Sequence, residues 1–296
     1  MSHLLAVCSA AVPPTTDDAA PDIRTVPPDL VVPEISAGPL SAGQRFEVKD
    51  TVSGVPFVVC LPQDWSPTQS FPVLIELPGN GGYRNRFGDA CSGMPQECSL
   101  GYGITAGVGA IWVAVPFLNG QGSGVAVTWW GDPPDYDPRP SVELLKRCVA
   151  CVCDERFGGD AERVMLAGFS RGSIACNYVG LFDDEIADLW RGMICYSHYD
   201  GVHAGWPYPD ADRASAASRL QRLLGIPQFI CHESAAGQRN SLVATRNLLQ
   251  DSDVFRQLTF CETGFRNHND QWVLRPSAAR HELRQWFRKM TSAKFE

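Results

Sequence analysis

The sequence predicts an α/β fold: a mainly parallel twisted sheet with helices on both faces, built from one domain. Three observations predict it. The strand-length apolar runs are continuous rather than alternating, as strands buried on both faces require. Stretches of helical period separate those runs, as crossover connections between parallel strands require. No internal repeat and no Gly/Ser linker breaks residues 40–296, and single α/β domains often reach that size.

The elements follow in order. "PFVVCLP" (Pro56–Pro62) is an early strand, and "FPVLIELPGNGG" (Phe71–Gly82) is a strand ending in a glycine loop. "GAIWVAVPF" (Gly109–Phe117) is the next strand. "SVELLKRCVACVCDERF" (Ser141–Phe157) has helical period, with Ser141 as its N-cap. "RVMLAGFS" is a strand entering a turn, and "GSIACNYVGLF" is then helical. "RGMICYS" is a strand, "DADRASAASRLQRLLG" a helix stopped by Gly225, and "IPQFICH" a strand. "SLVATRNLLQ" is a helix and "FRQLTFCE" the last strand. "SAARHELRQWFRKM" closes the chain as an amphipathic helix.

Residues 1–39 read as a flexible, Pro-rich segment before the domain (40–296), either a linker or an extended arm lying on the domain. Within it, Leu4–Val12 is a short apolar stretch around Cys8. It is either a disordered tail or the remnant of an export signal, although no basic residue precedes it. The net charge of −8 argues against a nucleic-acid partner, because phosphate binding needs a basic face. No apolar run of about 18 residues is present, so no membrane span is expected. Eleven cysteines leave at least one unpaired within the chain. Cys91 and Cys98, in a loop of small and polar residues, are the disulfide candidates. Cys148, Cys151 and Cys153 share a helix, but no histidine lies near them in sequence. No metal site is therefore expected there.

The chemistry-bearing motif is Gly168-Phe169-Ser170-Arg171-Gly172. It stands between a strand and a helix, the context that a G-x-S-x-G nucleophile elbow demands. Such a turn holds the serine in strained φ/ψ, while the glycines let strand and helix approach closely. The serine needs a base. His268 lies in "ETGFRNHNDQWVLRP", after the last strand, and loops at the carboxyl ends of parallel strands converge on one crevice. His198 and His203 also follow a strand, whereas His281 falls on the C-terminal helix. An oxyanion needs donors. The glycine loop "LPGNGGYRN" offers the N–H of Asn80 or Gly81, to act with the N–H of Arg171. Neither G-x-x-x-x-G-K-[ST] nor G-x-G-x-x-G occurs, which disfavours a phosphate cradle.

On these residues the chain resembles α/β-hydrolase-fold serine esterases. Within them it looks most like the secreted feruloyl/acetyl-xylan esterase and polyhydroxyalkanoate-depolymerase-like group. "LPGNGG" stands where that group carries L-H-G-x-G-G, with Pro78 in place of the histidine. "GFSRG" stands at the elbow, and His268 at the base position. The resemblance implies an α/β-hydrolase fold, an acyl-enzyme mechanism and no cofactor. It departs at the acid: the group's H-G-x-x-D pattern reads His232-Glu233-Ser234-Ala235-Ala236 here, with Ala236 at the aspartate. Glu233 from the same loop, or Asp200 after the preceding strand, is left to complete a Ser-His-acid triad.

The crevice walls are expected from Tyr83–Met94, Thr128–Pro140 and His198–Asp210, with Trp129, Trp130, Tyr136, Trp206 and Tyr208 as aromatic surface. Such rings stack on sugars, a feruloyl ring or a polyester unit, or simply pack beneath loops. The expected partner is a small-molecule or polymer ester. Carboxylic-ester hydrolysis is the first reading. A serine peptidase or amidase is the second, and a non-catalytic binding protein on a degenerate hydrolase fold is the third. The N-terminal segment and the resemblance lean towards a secreted or periplasmic protein, with a cytoplasmic one as the alternative.

Overall fold

The computed structural model describes residues 20–234 and 241–292. The expectations on the stretch around Cys8 and on Ala236 lie outside the described residues. The first elements are strands β1 (Arg45–Lys49), β2 (Pro56–Cys60) and β3 (Phe71–Leu77), then a short ribbon of β4 (Tyr83–Arg84) and β5 (Ala90–Cys91). Helix α1 (Leu100–Thr105), β6 (Ile111–Ala114), α2 (Arg139–Val152), β7 (Gly159–Phe169) and α3 (Arg171–Tyr178) follow. The rest comprises α4 (Asp184–Ala187), β8 (Gly192–Tyr196), α5 (Arg213–Arg219), β9 (Gln228–His232), α6 (Leu242–Leu249), β10 (Leu258–Glu262) and α7 (Ala278–Thr291).

Eight strands form one sheet in the order β1-β2-β6-β3-β7-β8-β9-β10. From β6 to β10 every neighbouring pair is parallel, while β2 pairs antiparallel with both β1 and β6. The continuous apolar runs are explained by the two cores that sandwich this sheet. Alternate residues of the central strands face opposite sides. Val73, Ile75, Val164 and Leu166 join the core under α2 and α3. Leu74, Trp112, Met165 and Ala167 join the core under α1 and α7. A polar residue in such a strand needs partners. Glu76 is fully buried and accepts from the N–H groups of Leu100 and Gly101 and from Trp112 Nε1. Burial, aided by the nearby Asp270 carboxylate, raises its pKa to about 8.

Several expectations change here. β1 was not expected, because "RFEVK" is short and half-exposed at the sheet edge. The helix expected from Ser141 begins at Arg139, with Pro138 before it. The Ser141 hydroxyl accepts instead from the Leu118 N–H. Cys91 and Cys98 are both free thiols rather than a disulfide. Cys91 packs beside Gly79, and the buried Cys98 thiol donates to the Met94 carbonyl. Cys148 belongs to the core, and Cys151 and Cys153 pack against it.

Residues 20–36 carry hydrogen bonds to the domain, an arrangement of the extended-arm kind. Ile23 is buried, and its N–H donates to Asn267 Oδ1 at 2.8 Å. Arg280 grips both oxygens of Asp29, and the Asp29 N–H donates to the Leu274 carbonyl. Most of these contacts fall on residues 266–280, the segment that carries the predicted base.

Candidate active site

The strand-to-helix turn at Ser170 has the strain its motif predicts. Ser170 sits at φ 55°, ψ −113°, between β7 and the first turn of α3. Its glycines are sterically required. A Cβ on Gly168 would lie 2.1 Å from the Gly172 carbonyl oxygen, and one on Gly172 would lie 2.1 Å from that of Leu77. The second approach also brings the elbow against the end of β3, three residues before Asn80.

His268 meets this serine. Its Nε2 lies 2.9 Å from Ser170 Oγ, and its Nδ1 lies 3.0 Å from Glu233 Oε1. Glu233 Oε2 is 3.3 Å from His232 Nδ1. Burial alone would raise the Glu233 carboxyl, but the facing His268 and His232 imidazoles hold it well below its usual pKa. An ionised carboxylate only accepts, so Nδ1 of His268 carries the proton and Nε2 is left to accept from the Ser170 hydroxyl. Nδ1 has a second neighbour that sequence reasoning missed: Ser197 Oγ, at 2.6 Å. Ser197 is buried at φ 88° just after β8, and no local motif marks it.

The base loop is anchored from behind by a second missed residue. Asp89 is fully buried. It accepts from the His268 N–H at 3.1 Å, Asn267 Nδ2 at 2.9 Å, Asn85 Nδ2 at 2.8 Å and Arg24 Nη2 at 3.1 Å. Thus the β4–β5 turn, the N-terminal arm and the His268 loop share one carboxylate. The sequence shows only "RFGDAC", one aspartate in a polar loop.

The alternative acid, Asp200, is not brought to His268. It pairs with Arg219 Nε at 2.8 Å and accepts from the Tyr208 hydroxyl at 2.9 Å. Its loop turns toward α5, so the carboxylate neutralises that helix's arginine instead. Gly81 is also corrected as an oxyanion donor, because its N–H is spent on the Val127 carbonyl at 2.6 Å. Among the described residues no partner engages the N–H of Asn80, nor that of Arg171 at the start of α3. Trp130 is corrected as a substrate contact. It is wholly buried, stacked on Tyr178 at 4.9 Å. Tyr208 is buried as well, and Tyr136 packs against the core. Trp129 and Trp206 stay half-buried with ring centroids 5.1 Å apart. The Trp206 ring is 5.6 Å from His198, which is in turn 5.0 Å from His268.

A cavity of about 260 Å³ opens at the site between Tyr83, Phe87, Arg86, Arg266, His198 and His268. Tyr83 meets the His268 ring edge-on at 4.7 Å. Burial, then the neighbouring His268 imidazole, depresses the His198 pKa to about 3, so its ring is neutral. His281 is exposed on α7, as expected. The arrangement places a hydroxyl, an imidazole and a carboxylate in line at the edge of a cavity. Such a set removes a proton from the hydroxyl as it attacks an electrophile.

No family model and no curated protein matches the chain. Solved structures do. An S-formylglutathione hydrolase from Agrobacterium tumefaciens aligns at a TM-score of 0.59 and 14% identity, over 88% of this chain and 100% of that one. A thermostable esterase aligns at 0.50 and 16% identity over 82% of this chain. An isopeptidase aligns at 0.52 and 16% identity over 86%. The chain spans 61% of the length of that esterase and 40% of the isopeptidase. Together with the sheet order, these likenesses show that the chain has the α/β-hydrolase fold.

Proposed function

We propose that this chain is a serine hydrolase that cleaves carboxylic esters through an acyl-enzyme. The observation that carries the reading is the unbroken relay from Ser170 Oγ through both nitrogens of His268 to Glu233, starting at a strained elbow. His268 Nε2 takes the Ser170 proton as Oγ attacks the ester carbonyl. The N–H groups of Asn80 and Arg171 receive the oxyanion. His268 then gives the proton to the departing alcohol, and water, activated by the same imidazole, releases the acid. Glu233 fixes the tautomer and faces the imidazolium that forms.

The half-buried Trp129–Trp206 pair beside His198 supports a substrate with a flat or ring-bearing group: an aromatic, carbohydrate-linked or polyester ester. The likeness to an isopeptidase keeps amide cleavage as a second reading, which a matched anilide substrate separates.

The test is hydrolysis of p-nitrophenyl acetate and butyrate by four proteins. Wild type turns both over. Ser170→Ala loses ~10³-fold or more in kcat, and Glu233→Gln loses ~10²-fold or more. Asp200→Asn keeps a kcat within a few-fold of wild type but melts earlier, because Arg219 loses a buried partner. A wild type with no turnover and no labelling by a serine-directed phosphonate overturns the reading.

A further inference from the structure

Arg171 is a buried cation that the mechanism above uses only through its backbone. Its side chain is 1% exposed, and among the described residues no carboxylate lies within ion-pair distance of it. Burying a guanidinium without a counter-ion is costly unless its donors are well placed. Here they are spent on loop carbonyls. Nη1 donates to Ala126 at 2.9 Å and to Trp129 at 2.5 Å, and Nη2 donates to Gly93 at 3.4 Å. The guanidinium also lies 4.4 Å from the centre of the Phe117 ring. Nε has no partner among the described residues. Burial lowers the group to about 9, which leaves it charged at neutral pH.

The carbonyls it holds belong to the segments that build the oxyanion loop. Val127 accepts the Gly81 N–H at 2.6 Å, and the Trp129 N–H donates to Asn80 Oδ1 at 2.9 Å. Gly93 is wedged in the same place: a Cβ there would lie 2.3 Å from the Val127 oxygen and 3.0 Å from the Gly81 nitrogen. Three segments therefore interlock around one side chain: 79–81, 91–93 and 126–129. Trp129 holds φ at 57°, a strained value that persists only where neighbours impose it.

We propose that the Arg171 side chain is the positioning residue of the oxyanion site, clamping residues 126–129 so that they hold the Asn80 loop against the nucleophile. The inference rests on the esterase reading for its kinetic consequences but not for the clamp itself. One residue then serves twice. Its N–H faces the oxyanion from α3, and its guanidinium sets where the second donor stands. Lysine is a poor replacement, because one ammonium cannot reproduce a planar fork aimed at three carbonyls.

The experiment combines kinetics with amide hydrogen exchange. In Arg171→Lys and Arg171→Gln, kcat for both p-nitrophenyl esters is expected to fall ~10- to 100-fold by the same factor, with KM changed less than ~3-fold. Asn80→Gly keeps the backbone donor but cuts the link to Trp129, so its loss should overlap with that of Arg171→Gln. The double variant should be no slower than the slower single. Exchange at Gly81 and Trp129 should rise in Arg171→Gln while β7 and β8 stay at wild-type protection. Losses that multiply overturn the proposal. So does unchanged exchange at Gly81 and Trp129, or a rise spread evenly through β7 and β8, which marks a residue that only stabilises the fold. If Arg171→Gln does not fold, Arg171→Lys carries the same readouts. A wild type inert to esters fails the esterase reading, and the exchange pattern still decides the clamp.

Discussion

At Ser170 the backbone conformation is the first requirement of the proposed mechanism. The residue occupies a conformation that side chains avoid, and it stays there because Gly168, Gly172 and the β3 terminus leave no other path. A methyl group at either glycine has no room. Gly172→Ala is therefore expected to cost about 3 kcal/mol or more of stability, read from denaturant midpoints. The His268 ring is fixed with similar economy. Its Nδ1 proton faces both Glu233 and Ser197. Ser197→Ala should reduce kcat about tenfold, the worth of ~1.4 kcal/mol, with KM little changed. An unchanged kcat would make Ser197 a packing residue.

The element that matters most for the proposed function is the segment from Thr263 to Arg275, which has little regular structure of its own. It is held by other elements: the arm through Ile23, Asp22 and Asp29, the β4–β5 turn through Asp89, and β8 through the Tyr196 hydroxyl, which donates to the Asn267 carbonyl at 3.0 Å. Asp89 gathers the most bonds. Asp89→Ala strands the N–H of His268 and the amide of Asn267. It should cost ~2–4 kcal/mol in stability and at least ~10-fold in kcat. Arg24→Ala removes a partner that is 45% exposed and should cost under about 1 kcal/mol. If the two variants lost equally, the anchor would lie in the arm and not in Asp89.

Across the whole molecule, the site lies where the carboxyl ends of the parallel strands converge, and burial there sets a pH dependence. His198 is neutral in the folded protein because burial, His268, His232 and His203 all disfavour its cation, against Glu233, which favours it. Unfolding frees it to take up a proton near its ordinary pKa of 6.5, against about 3 when folded. The unfolded state thus binds more protons between those values. The stability is fully present above pH 6.5 and is lost as pH falls toward 3. Each unit in that window costs about 1.4 kcal/mol. Glu233, held below its usual 4.5, adds its own loss only below that pH. Urea midpoints between pH 6.5 and 5 should fall by the equivalent of ~2 kcal/mol. His198→Asn should flatten that slope. An unaltered slope would place the proton uptake elsewhere.

The chain's own order of residues carried the fold and singled out Ser170 and His268, two candidates that folding brings together. Strand–elbow–helix geometry is local, so Gly168 to Gly172 disclosed it. His268 could be assigned because connections after parallel strands must emerge at one end of the sheet. Continuous apolar runs announced a sheet buried on both faces, and they placed every parallel strand; β1, α1 and the β4–β5 ribbon were too short or too exposed to announce themselves. The rest depends on residues distant in sequence. Glu233 and Asp200 are equivalent as letters, and only packing sends one to His268 and the other to Arg219. Asp89, Ser197 and the Arg171 side chain carry no motif, since their partners lie far away in sequence, 71 residues for Ser197 and up to 180 for Asp89. Trp129 and Trp130 are adjacent in sequence, yet one ring stays half-buried beside Trp206 while the other is buried in the core. Hydrogen-bond partnership and burial are properties of space, and three-dimensional folding alone settles them.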